Sequence, residues 1–364
     1  MVLPRIALWY KKYERIISTL FLLLGFVFNA VVLKRVDLFW ENFWVAVHIL
    51  TCALAIAYLN IENKSPKIHS EKIEAIVLYV LQFTFGGLIS TFLVFYFRSA
   101  VLAVAWPFLL VLVIAFFLNE SFKHKYTRMD FQILFLFLST YLYLSFLVPL
   151  IANKVNALMF FVAGGITTVL IVGFILIIRT YAPIKYASER KTVITSVIGV
   201  LILFNGFYVL NVIPPLPLSL RDAGIFHTIL KNDNGTYTIT KENYGFFESF
   251  RNMFGNYSTY HANIPIAYAY SSIFAPSYFT PNIIHEWQLF DSATKNWTTK
   301  FTTTLHITGG REDGFRTYSA YGGIFPGKWR VNVRLPDGPV IGRMMFDISS
   351  ERIDASRIIT SVIE

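Results

Sequence analysis

The sequence contains a single cysteine and few charged residues. Cys52 lies in an apolar run, so no disulfide can form within the chain, and zinc sites built from several cysteines are excluded. Charged residues make up 15% of the 364 residues, whereas a typical soluble domain carries about 25%. Hydrophobic residues make up 55%. This composition predicts a membrane protein. Its soluble part is expected to begin where the apolar-rich stretch of sequence ends.

Sequence motifs of the common catalytic sites are absent as well. The chain has no Gly-rich phosphate loop of the Walker type, no dinucleotide-binding fingerprint, no Gly-x-Ser-x-Gly elbow and no His-Glu-x-x-His motif. We therefore expect no cofactor and no metal, assign no catalytic residue, and favour a protein without enzymatic activity over an enzyme.

The net charge of +10 arises in the apolar part of the chain. The first 214 residues contain 18 Lys and Arg against 9 Asp and Glu, and the remainder contains 14 against 13. Because the polar remainder has no basic stripe, we expect no nucleic-acid partner.

Seven apolar windows are long enough to cross a bilayer, which takes about 20 residues. They are Ile16–Leu33, Leu38–Leu59, Ile76–Phe97, Ala100–Leu118, Phe131–Ile151, Leu158–Ile178 and Val193–Val212. The sequence therefore predicts an α-helical membrane bundle of about seven transmembrane helices.

The loops between the windows differ in their basic residues. Fourteen Lys and Arg lie on the side that includes the N-terminal segment, and the four on the other side are Lys34, Arg35, Arg98 and Lys154. Basic loops stay in the cytoplasm. The N-terminus is therefore predicted to be cytoplasmic, and after seven spans the C-terminal part lies on the opposite side.

Few polar residues interrupt the windows. His48 is the clear ionisable residue within them, and Asn205 is a polar residue of the last window. An ionisable residue inside a membrane is a candidate proton carrier, but we favour a histidine that packs between helices. Asn205 is expected to hydrogen-bond across helices. The scarcity of such residues argues against a proton- or sodium-coupled transporter.

Composition divides the chain into three parts. Residues 1–213 are the seven-helix transmembrane domain, residues 214–262 are a Pro-rich exit and mixed connecting segment, and residues 263–364 are a β-sandwich domain. Within the connecting segment, Asn232–Gly235 predicts a hairpin turn. Tyr244–Phe254 predicts a short helix that lies on the membrane surface or packs on the domain's own sheet.

Strand patterns dominate the last hundred residues. The predicted strands are Ile264–Phe274, Ile283–Phe290, Trp297–Ile307, Phe315–Tyr321, Lys328–Leu335 and Val340–Ile348. Turn residues separate them, and Pro336-Asp337-Gly338 is a strong hairpin signal. Short strands at regular spacing favour an all-β, immunoglobulin-like sandwich.

Five blocks in this half carry a resemblance to a known family. They are Ile213–Ile225, which begins Ile-Pro-Pro-Leu-Pro-Leu, then His285–Gln288, Gly309–Ser319, Gly327–Val331 and Gly342–Phe346. In this order they resemble the bacterial domain-of-unknown-function 2914 family, in its version with a multi-helix N-terminal membrane region. The likeness covers residues 213–348 closely and the membrane half by architecture. It implies an inner-membrane protein of Gram-negative bacteria with a periplasmic domain, and it implies no reaction.

Polar residues near these blocks form one candidate site. An acid–base cluster would arise if six residues converged: His285, Glu286, Arg311, Glu312, Asp313 and Arg316. Alternate side chains of a strand point to opposite faces, so His285 and Trp287 share one face and Glu286 takes the other. This favours His285 as a cross-strand partner over a catalytic base.

Arginines and aromatic residues indicate a second kind of site. Arg316, Arg330 and Arg343 would bind a carboxylate or phosphate of an anionic ligand, or pair with the domain's own carboxylates. Trp287, Trp297, Trp329 and Tyr318 would stack on a sugar or fill the core. The structural alternative is favoured in both cases. The residues retained as a ligand-binding set are His285, Trp287, Arg311, Asp313, Arg316, Tyr318, Arg330 and Arg343.

The favoured function is a membrane-anchored periplasmic interaction or binding module of the bacterial cell envelope. Its expected partners are membrane lipids and either an envelope protein or an anionic lipid or glycan. The second hypothesis is an enzyme that modifies envelope lipids or glycans, or an accessory subunit of one. The third is a channel or transporter component.

Overall fold

The structure is a computed structural model that describes most of the chain. The described residues are 23–33, 35–61, 71–99, 102–121, 125–214, 216–233, 235–243, 258–261, 266–311, 313–336, 338, 340–349 and 357–363. They fall into two compact units. One comprises residues 1–97, 108–152 and 158–209, and its described residues are mainly helical. The other comprises residues 98–107, 153–157 and 210–364 and contains the described strands.

Seven helices are described. They are α1 (Leu23–Val32), α2 (Phe39–Asn60), α3 (Glu71–Ser99), α4 (Leu102–Ser121), α5 (Met129–Ala152), α6 (Ala157–Tyr181) and α7 (Pro183–Val209). Among the described residues, α2, α3, α5, α6 and α7 are long and apolar enough to cross a membrane. The apolar stretches described in α1 and α4 are shorter, Leu23–Val32 and Ala105–Phe117. The prediction of seven spans is therefore not confirmed, and residues 16–22 of the first window lie outside the described residues.

Helix α7 begins ten residues before the predicted window that starts at Val193. Helix α6 ends at Tyr181 and α7 begins at Pro183, with buried Ala182 between them. Proline suits the first position of a helix because the N–H that it lacks would have no partner within that helix. The predicted apolar window did not include the first ten residues of α7 because several of them are polar or charged.

Several polar side chains of the helical unit form hydrogen bonds within it. The Asn60 side-chain amide of α2 donates to Oε1 of Gln132 in α5 over 2.6 Å. The Tyr141 hydroxyl of α5 donates to Oδ1 of Asn205 in α7 over 3.3 Å. The ring Nδ1 of His48 lies 2.8 Å from the carbonyl oxygen of Trp44, within its own helix. Such pairing matters in a bilayer, where no water satisfies a polar group.

The C-terminal part of the second unit, from residue 216 onward, is all-β where the structure describes it, as the sequence predicts. Its described strands are β1 (Ser219–Phe226), β2 (Thr228–Lys231), β3 (Tyr237–Glu242), β4 (Ser258–His261), β5 (Ala267–Phe274), β6 (Asn282–Asp291), β7 (Asn296–His306), β8 (Phe315–Tyr321), β9 (Gly327–Arg334), β10 (Val340–Ser349) and β11 (Ile358–Ile363). The six predicted strands correspond to β5–β10. Strands β2 and β3 pair antiparallel at the predicted hairpin. The predicted helix Tyr244–Phe254 lies outside the described residues.

The strands form three stacked sheets with orders β1-β5-β8, β4-β10-β9-β6-β7 and β11-β3-β2. The main core lies between the first two sheets, where Trp287 and Trp329 are fully buried. A smaller aromatic core around Tyr237 and Tyr270 lies between the first and third. Strand β1 belongs to the segment 214–262 and pairs with β5. The middle sheet is therefore covered on both faces, while one face of the five-stranded sheet lies away from the core.

Candidate functional site: a polar face on the five-stranded sheet

Polar side chains gather on the face of the five-stranded sheet that lies opposite the core. We call this set the polar face: Glu286 and Gln288 of β6, Trp297 and Thr299 of β7, Arg330, Asn332 and Arg334 of β9, and Arg343 of β10. Pairing in register brings them together, since Gln288 lies opposite Arg330 and Glu286 opposite Asn332. Every second residue of each strand points to this face.

Two buried amides orient two arginines. Gln288 and Asn332 are only 8% and 4% exposed. The Oε1 of Gln288 accepts from Nε of Arg330 over 2.7 Å, and the Oδ1 of Asn332 accepts from Nε of Arg343 over 2.7 Å. The Asn332 amide nitrogen also donates to Oε1 of Gln288 over 3.2 Å. The guanidinium groups are thus held in place by a network that is itself anchored in the sheet.

Glu286 supplies a carboxylate to the polar face. The Oε1 of Glu286 accepts from the Thr299 hydroxyl over 3.2 Å, and its Oε2 accepts from the Asn332 amide over 3.0 Å. The Nε of Arg334 lies 3.6 Å from the same Oε2. By alternation Asp347 of β10 and Lys328 of β9, which lie opposite each other, take the same face. With them the face carries four cationic side chains against two carboxylates, so it is electropositive.

An aromatic pair marks one end of the polar face. The Arg330 guanidinium lies over the Trp297 ring, 4.2 Å from its centroid, which is a cation–π contact. Phe290 packs beside Trp297 with ring centroids 5.2 Å apart. The face therefore changes from an aromatic end at Trp297 to an arginine-rich end at Arg334 and Arg343.

His285 and Trp287 lie on the opposite face, in the core. His285 is fully buried between the five-stranded sheet and the middle sheet, with Nε2 2.9 Å from Oγ of Ser271 and Nδ1 2.9 Å from Oγ of Ser319. The Trp287 indole N–H donates to the same Ser319 oxygen over 3.0 Å. Burial lowers the pKa of His285 to about 4, because a charged imidazole is costly in a dry core. These hydrogen bonds link the five-stranded sheet to the middle sheet, and they lie inside the core, away from any substrate.

The loop before β8 holds two other residues of the predicted set. The Arg311 guanidinium lies over the Phe315 ring, 5.4 Å from its centroid. Asp313 is exposed, and its main-chain oxygen accepts from the Ser272 hydroxyl over 2.7 Å. Glu312 lies outside the described residues. His285, Arg311 and Asp313 thus occupy separate environments rather than one acid–base cluster.

The glycines of this loop have a packing role. A Cβ on Gly309 would lie 1.8 Å from the Pro276 carbonyl oxygen, so a larger residue cannot fit there. Gly310 and Gly314 have φ angles of +96° and +88°, which side chains with a Cβ rarely adopt. The sequence block around Arg311 therefore reflects loop geometry.

The four remaining predicted residues divide between two sheets. Arg330 and Arg343 belong to the polar face. Arg316 and Tyr318 belong to β8 of the middle sheet, where Tyr318 packs against the smaller aromatic core. Pairing of β8 with β5 rather than with β9 separates Arg316 from the other two arginines.

Sequence reasoning missed four members of the polar face. They are Gln288, Thr299, Asn332 and Arg334. The signal that identifies three of them is alternation: polar residues occupy every second position at 286 and 288 in β6 and at 330, 332 and 334 in β9. A strand exposed on one face carries this pattern.

A second polar cluster lies at the end of β3. The Glu242 carboxylate is 3% exposed and lies 3.2 Å from Nε2 of His227 and 2.9 Å from Nδ1 of His261; it also accepts from the His261 main-chain N–H over 2.6 Å. Burial opposes ionisation of this carboxyl, but the hydrogen bonds from the two histidines outweigh it and lower its pKa. Among the described residues no group of His, Cys, Asp and Glu forms a metal site. The cluster joins β3 to β4.

Comparison with known proteins identifies the segment that carries the polar face. Solved structures that are similar to this chain include two from Pseudomonas species. An immunoglobulin-like protein of Pseudomonas aeruginosa is 12% identical, with 37% of this chain and 98% of that chain covered and a TM-score of 0.22. An alkylpurine DNA glycosylase of Pseudomonas fluorescens, bound there to DNA with an abasic site analog, is 9% identical, with 87% and 99% covered and a TM-score of 0.20. No curated protein matches.

A family model matches the C-terminal region. It is described as a protein of unknown function, DUF2914, and it covers residues 281–348, which include β6 to β9 and nearly all of β10. The resemblance seen in the sequence is confirmed there: residues 281–348 of this chain are a DUF2914 segment.

Proposed function

We propose that this protein is a membrane-anchored binding module whose polar face takes an anionic ligand through its arginines. The observation that carries the proposal is the placement of Arg330 and Arg343 by the buried amides of Gln288 and Asn332. Guanidinium groups bind carboxylate and phosphate groups strongly and with defined geometry. Because the arginines are already oriented, binding costs little side-chain entropy.

The setting of the proposal is the bacterial cell envelope. Five apolar helices would anchor the chain in the inner membrane. The distribution of basic residues among the loops supports a cytoplasmic N-terminus and a periplasmic β unit. Membrane lipids then surround the helices, and the ligand of the polar face is an envelope component.

The same geometry favours binding over catalysis. The Glu286 carboxylate accepts hydrogen bonds from Thr299 and Asn332, so it is used to organise the face. His285, the residue first considered as a base, lies inside the core. What the polar face presents is a fixed set of hydrogen-bonding groups and positive charge.

The test is binding of a model polyanion, carboxymethyl dextran, to the full-length protein in detergent, measured by calorimetry. The double substitution Arg330→Gln and Arg343→Gln removes the two oriented guanidinium groups and should weaken binding by about tenfold or more. The matched control is Lys231→Gln with Lys241→Gln, which removes the same charge from the β11-β3-β2 sheet.

The control should bind like the unchanged protein. Equal weakening in both double variants would mean that binding follows net charge alone, and would overturn the proposal. Failure of the unchanged protein to bind the polyanion would do the same.

A further inference from the structure

We infer that a cleft beside the link between α5 and α6 binds the phosphate of an acidic phospholipid headgroup, with Lys154 as its cation. We call it the link cleft. It has a volume of about 330 Å³ and is lined by residues 153–156, 278–282 and 335–336. All of these residues belong to the unit that contains the strands. The inference does not use the polar face and rests only on the anchoring of the chain in a membrane.

The walls of the link cleft are built on the main core of the β sheets. Phe279 and Leu335 are buried members of that core, and Val155 packs against it. The loop between β5 and β6 is fixed by main-chain hydrogen bonds: the Phe279 N–H donates to the Pro276 carbonyl oxygen over 2.9 Å, and the Gly309 N–H donates to the Phe279 carbonyl oxygen over 2.8 Å. The cleft is therefore part of the folded unit. Its volume lies at the lower end of the range for small-molecule sites, about 300–1,000 Å³.

The link itself places the cleft at the membrane surface. Helix α5 ends at Ala152 and α6 begins at Ala157, and both are long and apolar enough to cross a membrane. In a membrane-anchored protein, four residues between two such helices lie in the headgroup layer, which extends about 5–8 Å beyond the hydrocarbon core on each side. Tyr278, which lines the cleft, is 74% exposed, and tyrosine is enriched at this depth. Phospholipid phosphates are therefore the anions nearest to the cleft.

The polar side chains of the link cleft match a phosphate. Asn153, Lys154, Thr280 and Asn282 are exposed, and none of these four side chains forms a hydrogen bond or an ion pair with another described residue. They offer an ammonium group, two amides and a hydroxyl, all of which can donate to phosphate oxygens. The described lining residues include no carboxylate, and the neighbouring Asp337 lies outside the described residues.

Charge favours an acidic headgroup over a zwitterionic one. Lys154 is the one cation among the described lining residues, and the phosphodiester of a phospholipid carries a single negative charge. A choline or ethanolamine group would bring a second cation into a cleft whose described lining has no carboxylate to receive it. A glycerol headgroup instead brings hydroxyls, which hydrogen-bond to amides such as those of Asn153 and Asn282. Phosphatidylglycerol therefore fits the link cleft better than phosphatidylcholine does.

Calorimetry on the full-length protein in dodecyl maltoside tests the inference with three probes. They are the short-chain lipids dioctanoyl phosphatidylglycerol and dioctanoyl phosphatidylcholine, and inorganic phosphate. We expect phosphatidylglycerol to bind about tenfold or more tightly than each of the others. Lys154→Gln should weaken its binding by about tenfold, because the substitution removes a charge-assisted hydrogen bond, whereas Lys154→Arg should retain it. Comparison with Lys154→Gln separates the cleft from lipid held by the apolar helices.

The matched control is Lys191→Gln, which removes the same charge from an exposed position in α7 and should leave binding unchanged. Equal weakening in both variants would mean that binding follows net charge, and unchanged binding in Lys154→Gln would mean that the lipid lies elsewhere; either result overturns the inference. Equal affinity for phosphatidylcholine or for inorganic phosphate overturns the acidic lipid as the ligand. Tryptophan fluorescence in urea establishes that each variant is folded.

Two further measurements separate this inference from the proposed function. Arg330→Gln with Arg343→Gln should bind phosphatidylglycerol like the unchanged protein, and Lys154→Gln should bind carboxymethyl dextran like the unchanged protein. Loss of lipid binding in the arginine variant would place the lipid on the polar face and overturn the link cleft. Loss of carboxymethyl dextran binding alone, in the unchanged protein, would overturn the proposed function and leave the lipid result standing.

Discussion

The two faces of the five-stranded sheet use similar residues in opposite ways. The inner face contains Trp287, Trp329 and His285, each fully buried and hydrogen-bonded within the protein. The polar face contains Trp297 and three arginines beside two amides. The type of residue therefore does not decide whether a side chain lies in the core or on the outer face. What decides it is which of the two alternating sets of positions along the strand the residue occupies.

The tryptophans make this contrast concrete. Trp329 fills the core and donates its indole N–H to the Phe325 carbonyl oxygen over 2.9 Å. Trp297 lies on β7, and the Arg330 guanidinium lies over its ring. The first contributes mainly to folding. The second contributes little apolar burial and is placed to contact a ligand.

Replacing each tryptophan by alanine should separate these roles most strongly. Trp329→Ala should destabilise the β unit by about 3–5 kcal/mol, the usual cost of emptying a buried aromatic site. Trp297→Ala should cost about 1 kcal/mol or less, since a partly exposed cation–π contact is worth little. Hydrogen exchange of β6 and β9 in the full-length protein measures both. Equal losses of protection would mean that Trp297 is a core residue.

Much of this fold was predictable from sequence. Apolar windows long enough for a bilayer locate α2, α3, α5 and α6 closely, and alternation locates β5 to β10. Alternation also places His285 and Trp287 on one face of β6 and Glu286 on the other. These features depend on neighbouring residues, whose pattern can be seen in a short stretch of chain.

The rest depends on pairing between distant strands. Alternation does not say which face of a strand is buried, so Trp329 and Trp297 could not be told apart. It does not say which strands share a sheet, and Arg316 was therefore grouped with Arg330 and Arg343. Strand β4 has four residues and pairs in parallel with β10, and so short a segment carries no strand signal of its own.

The buried histidine gives the inner face a dependence on pH. The folded-state pKa of His285 is about 4, below its ordinary value of 6.5. The unfolded chain therefore takes up the proton first. The stability linked to this group is complete above pH 6.5 and falls as the pH drops towards 4. Between pH 7.5 and pH 5 the loss should be about 2 kcal/mol.

His285→Gln tests this origin, because glutamine keeps hydrogen-bonding groups near Ser271 and Ser319 without titrating. We expect the urea midpoint of the β unit, followed by tryptophan fluorescence of the full-length protein, to depend on pH less in this variant than in the unchanged protein. An identical dependence in both proteins would assign the effect to other groups.

The smallest expected change in stability belongs to the polar face, and it is the sharpest test of the contrast. Arg330→Lys keeps the positive charge but removes the planar fork that reaches Gln288 and stacks on Trp297. We expect a loss of about 0.5–1 kcal/mol in folding free energy, within the usual range for an exposed cation–π contact. We expect binding of carboxymethyl dextran to weaken about tenfold. Since the charge is unchanged, such a result would show that the amides orient Arg330 for a ligand rather than for the fold. A large loss of stability with unchanged binding would instead place Arg330 among the residues that hold the sheet together.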